Sequence, residues 1–129
     1  MLLSQLNTCT MEIYISEEDL LQNIQDKFQE AYPHLRLEFF KHPHEAGEGC
    51  PRNEKWPLDT PIEDIRMIHS FGWIDISEDR TVAELEKDFY RQIGLSVQVL
   101  RKSGLNWLLT TRTDHLTLKI QDEMGAGLL

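Results

Sequence analysis

The residues best suited to chemistry crowd into one stretch, Lys41-His42-Pro43-His44-Glu45, followed by Gly47, Gly49, Cys50 and Arg52. Histidine and cysteine are preferred zinc ligands, but a structural zinc site takes four. A His-x-His followed by one cysteine, with no Cys-x-x-Cys, is not such a pattern. Glycines let backbone amides approach a ligand closely, and the basic side chains would set positive charge against an acidic background. The stretch reads as a loop able to bind an anion or small polar ligand through Lys41, His42, His44, Gly47, Gly49 and Arg52. The plainer alternative is a polar surface loop. Neither GxxxxGK[ST] nor GxGxxG occurs, so the usual phosphate cradle of nucleotide sites is missing. No metal site and no cofactor is expected.

A nucleophile needs a partnered base. Ser16, Ser70, Ser77 and Ser103 lack the GxSxG setting. Ser16 and Ser77 sit where strands are expected to pass into helices, as capping residues. Cys50 has His42 and His44 near it in sequence. His69 follows an apolar helix and reads as structural, and the carboxylates read as a solvated acidic face. No catalytic residue is assigned, and the chain reads as a binding protein in preference to an enzyme.

These residues hang on a repeat. A shift of 61 lays Ile13 on Ile74, Ile15 on Ile76, Ser16 on Ser77, Glu17 on Glu78, Ile24 on Leu85 and Phe28 on Phe89. After one deletion Leu35 falls on Leu95. Each copy opens with a short alternating run, Met11-Ile13-Ile15 or Ile74-Ile76, that puts one strand face into a core. An apolar stripe at helical spacing follows: Leu20, Leu21, Ile24, Phe28 and Ala31, then Val82, Leu85, Phe89 and Ile93. Ser16 with Asp19 marks the first helix start, and Thr81 with Glu84 is a capping box for the second. Pro33 and Gly94 end them. Second strands follow at Leu35, Leu37 and Phe39 and at Leu95, Val97 and Val99. Arg101 to Gly104 reads as a turn, with Trp107 to Thr111 as the returning strand. Thr60-Pro61-Ile62-Glu63 predicts a short helix over 61–69. Thr113 to Met124 carries both strand and helix signals, with the helix preferred.

The expected fold is α+β: duplicated β-α-β units in a ferredoxin-like, mostly antiparallel sheet with helices on one face, plus a hairpin strand and a C-terminal helix. Residues 11–124 form the expected domain, with 1–10 a flexible leader and 125–129 a flexible tail. Cys9 and Cys50 are no disulfide framework and suggest free thiols in the cytoplasm. No apolar run reaches membrane-spanning length, and the N-terminus lacks a signal-peptide pattern.

Three segments, LRLEFFKHPHEAGEGCP (35–51), TVAELEKDF (81–89) and GLSVQVLRKSGLNWLLTTRTDHLTL (94–118), resemble a family of small uncharacterised bacterial proteins frequent in Bacteroidetes. The shared features are a phenylalanine pair, a histidine- and glycine-rich loop, and a hairpin of the form VQVxRKSGxxWLxTT followed by TD. They fall on Phe39, Phe40, His44, Gly47, Gly49, Val97 to Gly104, Trp107, Thr110, Thr111, Asp114 and Thr117. Cys50 stands where the family tends to serine and Leu116 where it tends to tryptophan. The family usually begins near Met11. No activity attaches to it, so the resemblance supports the domain and leaves its function open.

The formal net charge is −9. Residues 1–94 carry 9 basic against 19 acidic side chains, and residues 95–129 carry 4 against 3. An acidic body repels phosphate backbones, which argues against nucleic-acid partners. Arg101, Lys102 and Arg112 form a small basic group on the last hairpin, expected at the opposite end of the sheet from Lys41 and His42. Trp56 in the loop reads as an anchor to the sheet. Phe40 and Leu100 are apolar where alternation predicts the outer face, so that face is expected to be covered by the long loop or a second subunit. The chain therefore reads as a small non-catalytic interaction or regulatory domain that takes a protein partner or self-associates through Phe40, Leu100, Arg101, Lys102 and Trp107. The alternative is a ligand- or metal-binding domain or enzyme using the loop 41–52.

Overall fold

Local signals decide where the helices begin and end in the computed structural model, which describes residues 11–41, 54–65 and 72–128. Among these residues the order is β1 (Glu12–Ile15), α1 (Leu21–Ala31), β2 (Leu35–Phe40), β3 (Gly72–Asp75), α2 (Val82–Asp88), β4 (Ser96–Ser103), β5 (Asn106–Leu109) and α3 (Leu118–Gly125). Thr81 Oγ1 accepts the Glu84 N–H at 3.1 Å, and Glu84 Oε1 accepts the Thr81 N–H at 2.9 Å, the reciprocal box that opens α2. Thr117 Oγ1 accepts the Ile120 N–H at 3.2 Å and opens α3. Burial of Leu118 with exposure of Ile120 resolves the 113–124 ambiguity as a helix.

Several expected caps are placed differently. Ser16 and Asp19 close the turn before α1, where Asp19 Oδ2 accepts the Ser16 N–H at 3.0 Å. The helix itself starts after Leu20, whose N–H goes to Asn23 Oδ1 at 2.7 Å. Ser77 ties two strands instead of capping a helix: its Oγ accepts the Met11 N–H at 3.1 Å and donates to Asp75. Thr60 donates to the Pro57 carbonyl at 2.7 Å, and the helix expected over 61–69 is a single 3-10 turn, Ile62–Asp64, with 66–69 outside the described residues.

The strands form two antiparallel sheets, β1-β3 and β2-β4-β5, where one ferredoxin-like sheet was expected. The second strands of the two halves pair with each other instead of flanking the first strands. Their burial explains this. Ser96 to Leu100 of β4 is an unbroken buried run, as are Phe39 and Phe40 of β2, so these strands are covered on both faces. Residues 54–56 run along the outer side of β2, with the Lys41 N–H on the Glu54 carbonyl and the Trp56 N–H on the Phe39 carbonyl, both at 2.7 Å. The core joins the inward residues Leu35, Leu37, Phe39, Val97 and Val99 to the α1 and α2 stripes and to Ile13, Ile15, Ile74 and Ile76.

A set of bonds recurs along the chain with the sequence repeat. The Leu21 N–H meets the Thr60 carbonyl and the Ile62 N–H the Asp19 carbonyl; later, the Val82 N–H meets Leu116 and the Leu118 N–H meets Arg80. Gln22 to Leu58 and Ala83 to Asp114 form the next pair. Gln25 of α1 accepts the Leu37 N–H at 2.7 Å, and Glu86 of α2 accepts the Val99 N–H at 3.0 Å. Leu37 and Val99 face each other across β2 and β4, as Ile13 and Ile74 do across β1 and β3. Helix α2 runs on into a π turn at Phe89–Ile93 that ends with Gly94 in the left-handed region at φ 83°.

Tyr32 crosses between the halves. Its hydroxyl donates to the Ile76 carbonyl at 2.5 Å. Burial pushes the phenol well above its ordinary pKa of 10.0, and the charges of Glu78, Asp122, Asp75 and Asp79 push the same way.

Two outcomes are expected. Gln25→Ala strands a buried N–H and costs about 1–3 kcal/mol in urea unfolding, whereas Glu86→Gln, which puts into α2 the side chain α1 already uses, stays within about 1 kcal/mol of the parent. Tyr32→Phe also costs about 1–3 kcal/mol at neutral pH. The folded parent holds the Tyr32 proton more tightly than its unfolded chain, so its margin is whole below pH 10.0 and falls as pH rises above that value; unfolding curves on the alkaline side should show a shallower fall in the variant.

Candidate functional site

The outward-facing row of the three-stranded sheet holds Arg36, Glu38, Phe40, Ser96, Gln98, Leu100, Lys102, Trp107 and Leu109 by strand alternation. Phe40 and Leu100 are 4% and 3% exposed in the single chain, so no second subunit is needed to cover them. Gln98 beside them is also buried. Trp107 is half-buried, with the Arg36 guanidinium 5.4 Å from its ring centre.

Arg101 points inward, where its Nη1 donates to Gln121 Oε1 at 2.7 Å. Lys102 is exposed, and its backbone N–H donates to the His34 carbonyl at 2.9 Å. Lys41, exposed at the far end of β2, lies 5.1 Å from the Trp56 ring centre. The register sets Leu35 opposite Arg101 and Phe40 opposite Ser96, so the two basic groups sit at opposite ends of the β2–β4 pair. Lys41 is the described member of the expected ligand loop. His42, His44, Gly47, Gly49 and Arg52, with Cys50, lie outside the described residues, as do His69 and Cys9.

The open edge of the sheet is β5; strand 35–40, which the sequence suggests as an exposed edge able to pair with another strand, is flanked by β4 on one side and by 54–56 on the other. Gly104, at φ 61°, allows a two-residue turn that folds β5 back on β4. Leu105 at the tip is fully exposed, and Leu108 and Leu109 are 44% and 48% exposed. The β4–β5 register turns the backbone groups of Leu108 toward β4 and those of Trp107 and Leu109 away from it. Among the described residues those outward groups have no hydrogen-bond partner. The opposite edge of the sheet, 54–57, reads Glu-Lys-Trp-Pro, and its Lys55 forms an ion pair with Glu38 at 3.1 Å. Charge and proline are standard defences against strand addition; β5 has neither. An exposed aromatic pair, Tyr14 and Trp73, sits edge-on at 5.1 Å on the β1–β3 ribbon.

A cleft of about 560 Å³ lies between His34, Arg101 to Gly104 and the end of α3. Its guanidinium is already engaged by Gln121, and the helix end there presents carbonyls, which disfavour an anion. A smaller hollow of about 290 Å³ lies beside Trp56, lined by the Lys55–Glu38 pair. Among the described residues no three His, Cys, Asp or Glu side chains gather as a metal site, and no helix is long and apolar enough to cross a membrane.

No family model, curated protein or solved structure matches the chain.

The cleft floor is tight at Gly125: a Cβ there would lie 2.9 Å from the His34 Cβ and from its carbonyl oxygen. Gly125→Ala should therefore destabilise by about 1–3 kcal/mol, in spite of alanine's better helix propensity, and thermal melting reads the loss.

Proposed function

We propose that this chain is a non-catalytic cytoplasmic interaction module that accepts a strand at the edge of β5. The observation that carries this reading is the contrast between the sheet's two borders. One is guarded by Lys55 and Pro57, while the other offers Trp107 to Leu109 without a charge or a proline. Main-chain pairing would supply affinity, and the leucines and Trp107 would supply selectivity. Arg101, Lys102 and Trp107 frame this edge, whereas Phe40 and Leu100 stiffen the strands behind it.

We also read the chain as an internal duplication, a β-α-β unit with a returning strand and helix used twice. The recurring bonds and the facing pairs Ile13–Ile74 and Leu37–Val99 support this. On this reading, 54–56 and β5 are counterparts, and one counterpart has kept its edge open.

The expected result in an amide NMR titration with an extended probe peptide of alternating valine and threonine is shifts at Trp107 and Leu109, with none at Lys55. Shifts confined to the β1–β3 ribbon, or none anywhere, would refute the β5 assignment.

A further inference from the structure

We infer that the strand added to β5 is β5 of a second copy, giving a two-fold dimer with one sheet continuous through both chains. The inference rests on the edge-docking reading above and specifies its partner. Two features select a second copy.

The first is self-complementarity. An antiparallel β5–β5 pair centred on Leu108 lets the outward backbone groups of Trp107 and Leu109 bond to those of Leu109 and Trp107 in the other copy. On the outer face each Trp107 then lies across from a Leu109, an aromatic–aliphatic pair of the kind that stabilises sheets. On the inner face the two Leu108 side chains meet on the axis. The buried Leu100 lies behind each Leu109, so the row Trp107–Leu109–Leu100 becomes one apolar band running across the junction. A strand bearing charges would set them against these leucines.

The second is charge. Residues 1–94 hold the excess of ten acidic side chains, and residues 95–129 hold an excess of one basic side chain. A second acidic body can approach most closely through the segment that lacks the acidity, and β5 lies in that segment. The cost from the like-charged Lys102 pair is small. The two sit on the β4 strands, three strand spacings apart across the junction, roughly 15 Å. That exceeds the screening length of about 8 Å at physiological salt.

A four-residue pairing makes a small interface, so association should be weak and concentration-dependent. Multi-angle light scattering and sedimentation on the full chain should show the mass rising with concentration from 15.1 kDa toward twice that value. Raising salt should tighten the dimer several-fold, because it screens the acidic bodies more than it weakens apolar contact. Leu109→Pro removes an outward N–H that no described residue uses, and Leu108→Lys places like charges on the axis. Each should hold the mass at 15.1 kDa with circular dichroism unchanged, while Trp73→Lys on the other sheet should leave dimerisation as in the parent. If both β5 variants fail to fold, chemical shifts at the Trp107 and Leu109 amides on dilution of the parent decide instead: movement there supports the dimer, and none overturns it. A mass fixed at 15.1 kDa overturns the second copy as partner; if the valine–threonine probe still shifts Trp107 and Leu109, the edge-docking reading survives that result, and if it does not, both fall. A dimer abolished by Trp73→Lys and indifferent to Leu109→Pro overturns the inference outright.

Discussion

A backbone N–H shut away from water needs an acceptor, and the flanks of the β2–β4 pair meet that need from the helices. Gln25 reaches the Leu37 N–H and Glu86 the Val99 N–H, on opposite sides of the pair. Each bond does two jobs. It satisfies a donor whose isolation would cost about 1–3 kcal/mol, and it fixes a helix against a strand at one register. The inward row of Leu35, Leu37, Phe39, Val97 and Val99 can then close over the helix stripes. Strand alternation and helix packing are thus tied by two side-chain amide or carboxylate oxygens.

The same arrangement decides which parts of the sheet are open. Where Gln25 and Glu86 stop, a returning segment takes over on each side. The segment 54–56, bridged to β2 at Lys55, brings a lysine and the following proline; β5 brings tryptophan and leucines. The difference in chemistry between two geometrically similar borders is the reason to place recognition at β5. The basic group of Lys102 and Arg112 falls on the same hairpin region, against a body that is otherwise acidic.

Some signals carried within a few residues were legible in the sequence, though Ser16 with Asp19 and Ser77 serve a turn and a strand tie instead of helix caps. Thr81 with Glu84, Thr117, Gly94 and the apolar stripes describe events inside one or two turns, and the chain realises them. Pairing between distant strands was not legible, because nothing in Leu35 to Phe40 or Leu95 to Leu100 states which neighbour they will find. Apolar residues on both faces of those strands have two physical meanings, an interface or a strand covered twice, and Phe40 and Leu100 show the second. The open edge was obscured for a related reason. Asn106 to Leu109 is apolar enough to pass for a half-buried hairpin strand, and only the register shows that Trp107 and Leu109 turn their backbone groups outward. The loop of His42, His44 and Arg52 drew notice by residue type alone, and residue type does not say what such groups face.

The π turn at Phe89–Ile93 acts as a gauge block between helix and strand. Its surplus residue sets how far the chain has travelled when β4 begins, and so which face of β4 turns toward the core. Shortening it by one position would rotate every side chain of β4 to the other side of the pleat, sending Gln98 into the oily interior and Val97 and Val99 out of it. A single peptide unit far from the sheet's centre thereby governs the polarity of its most enclosed strand.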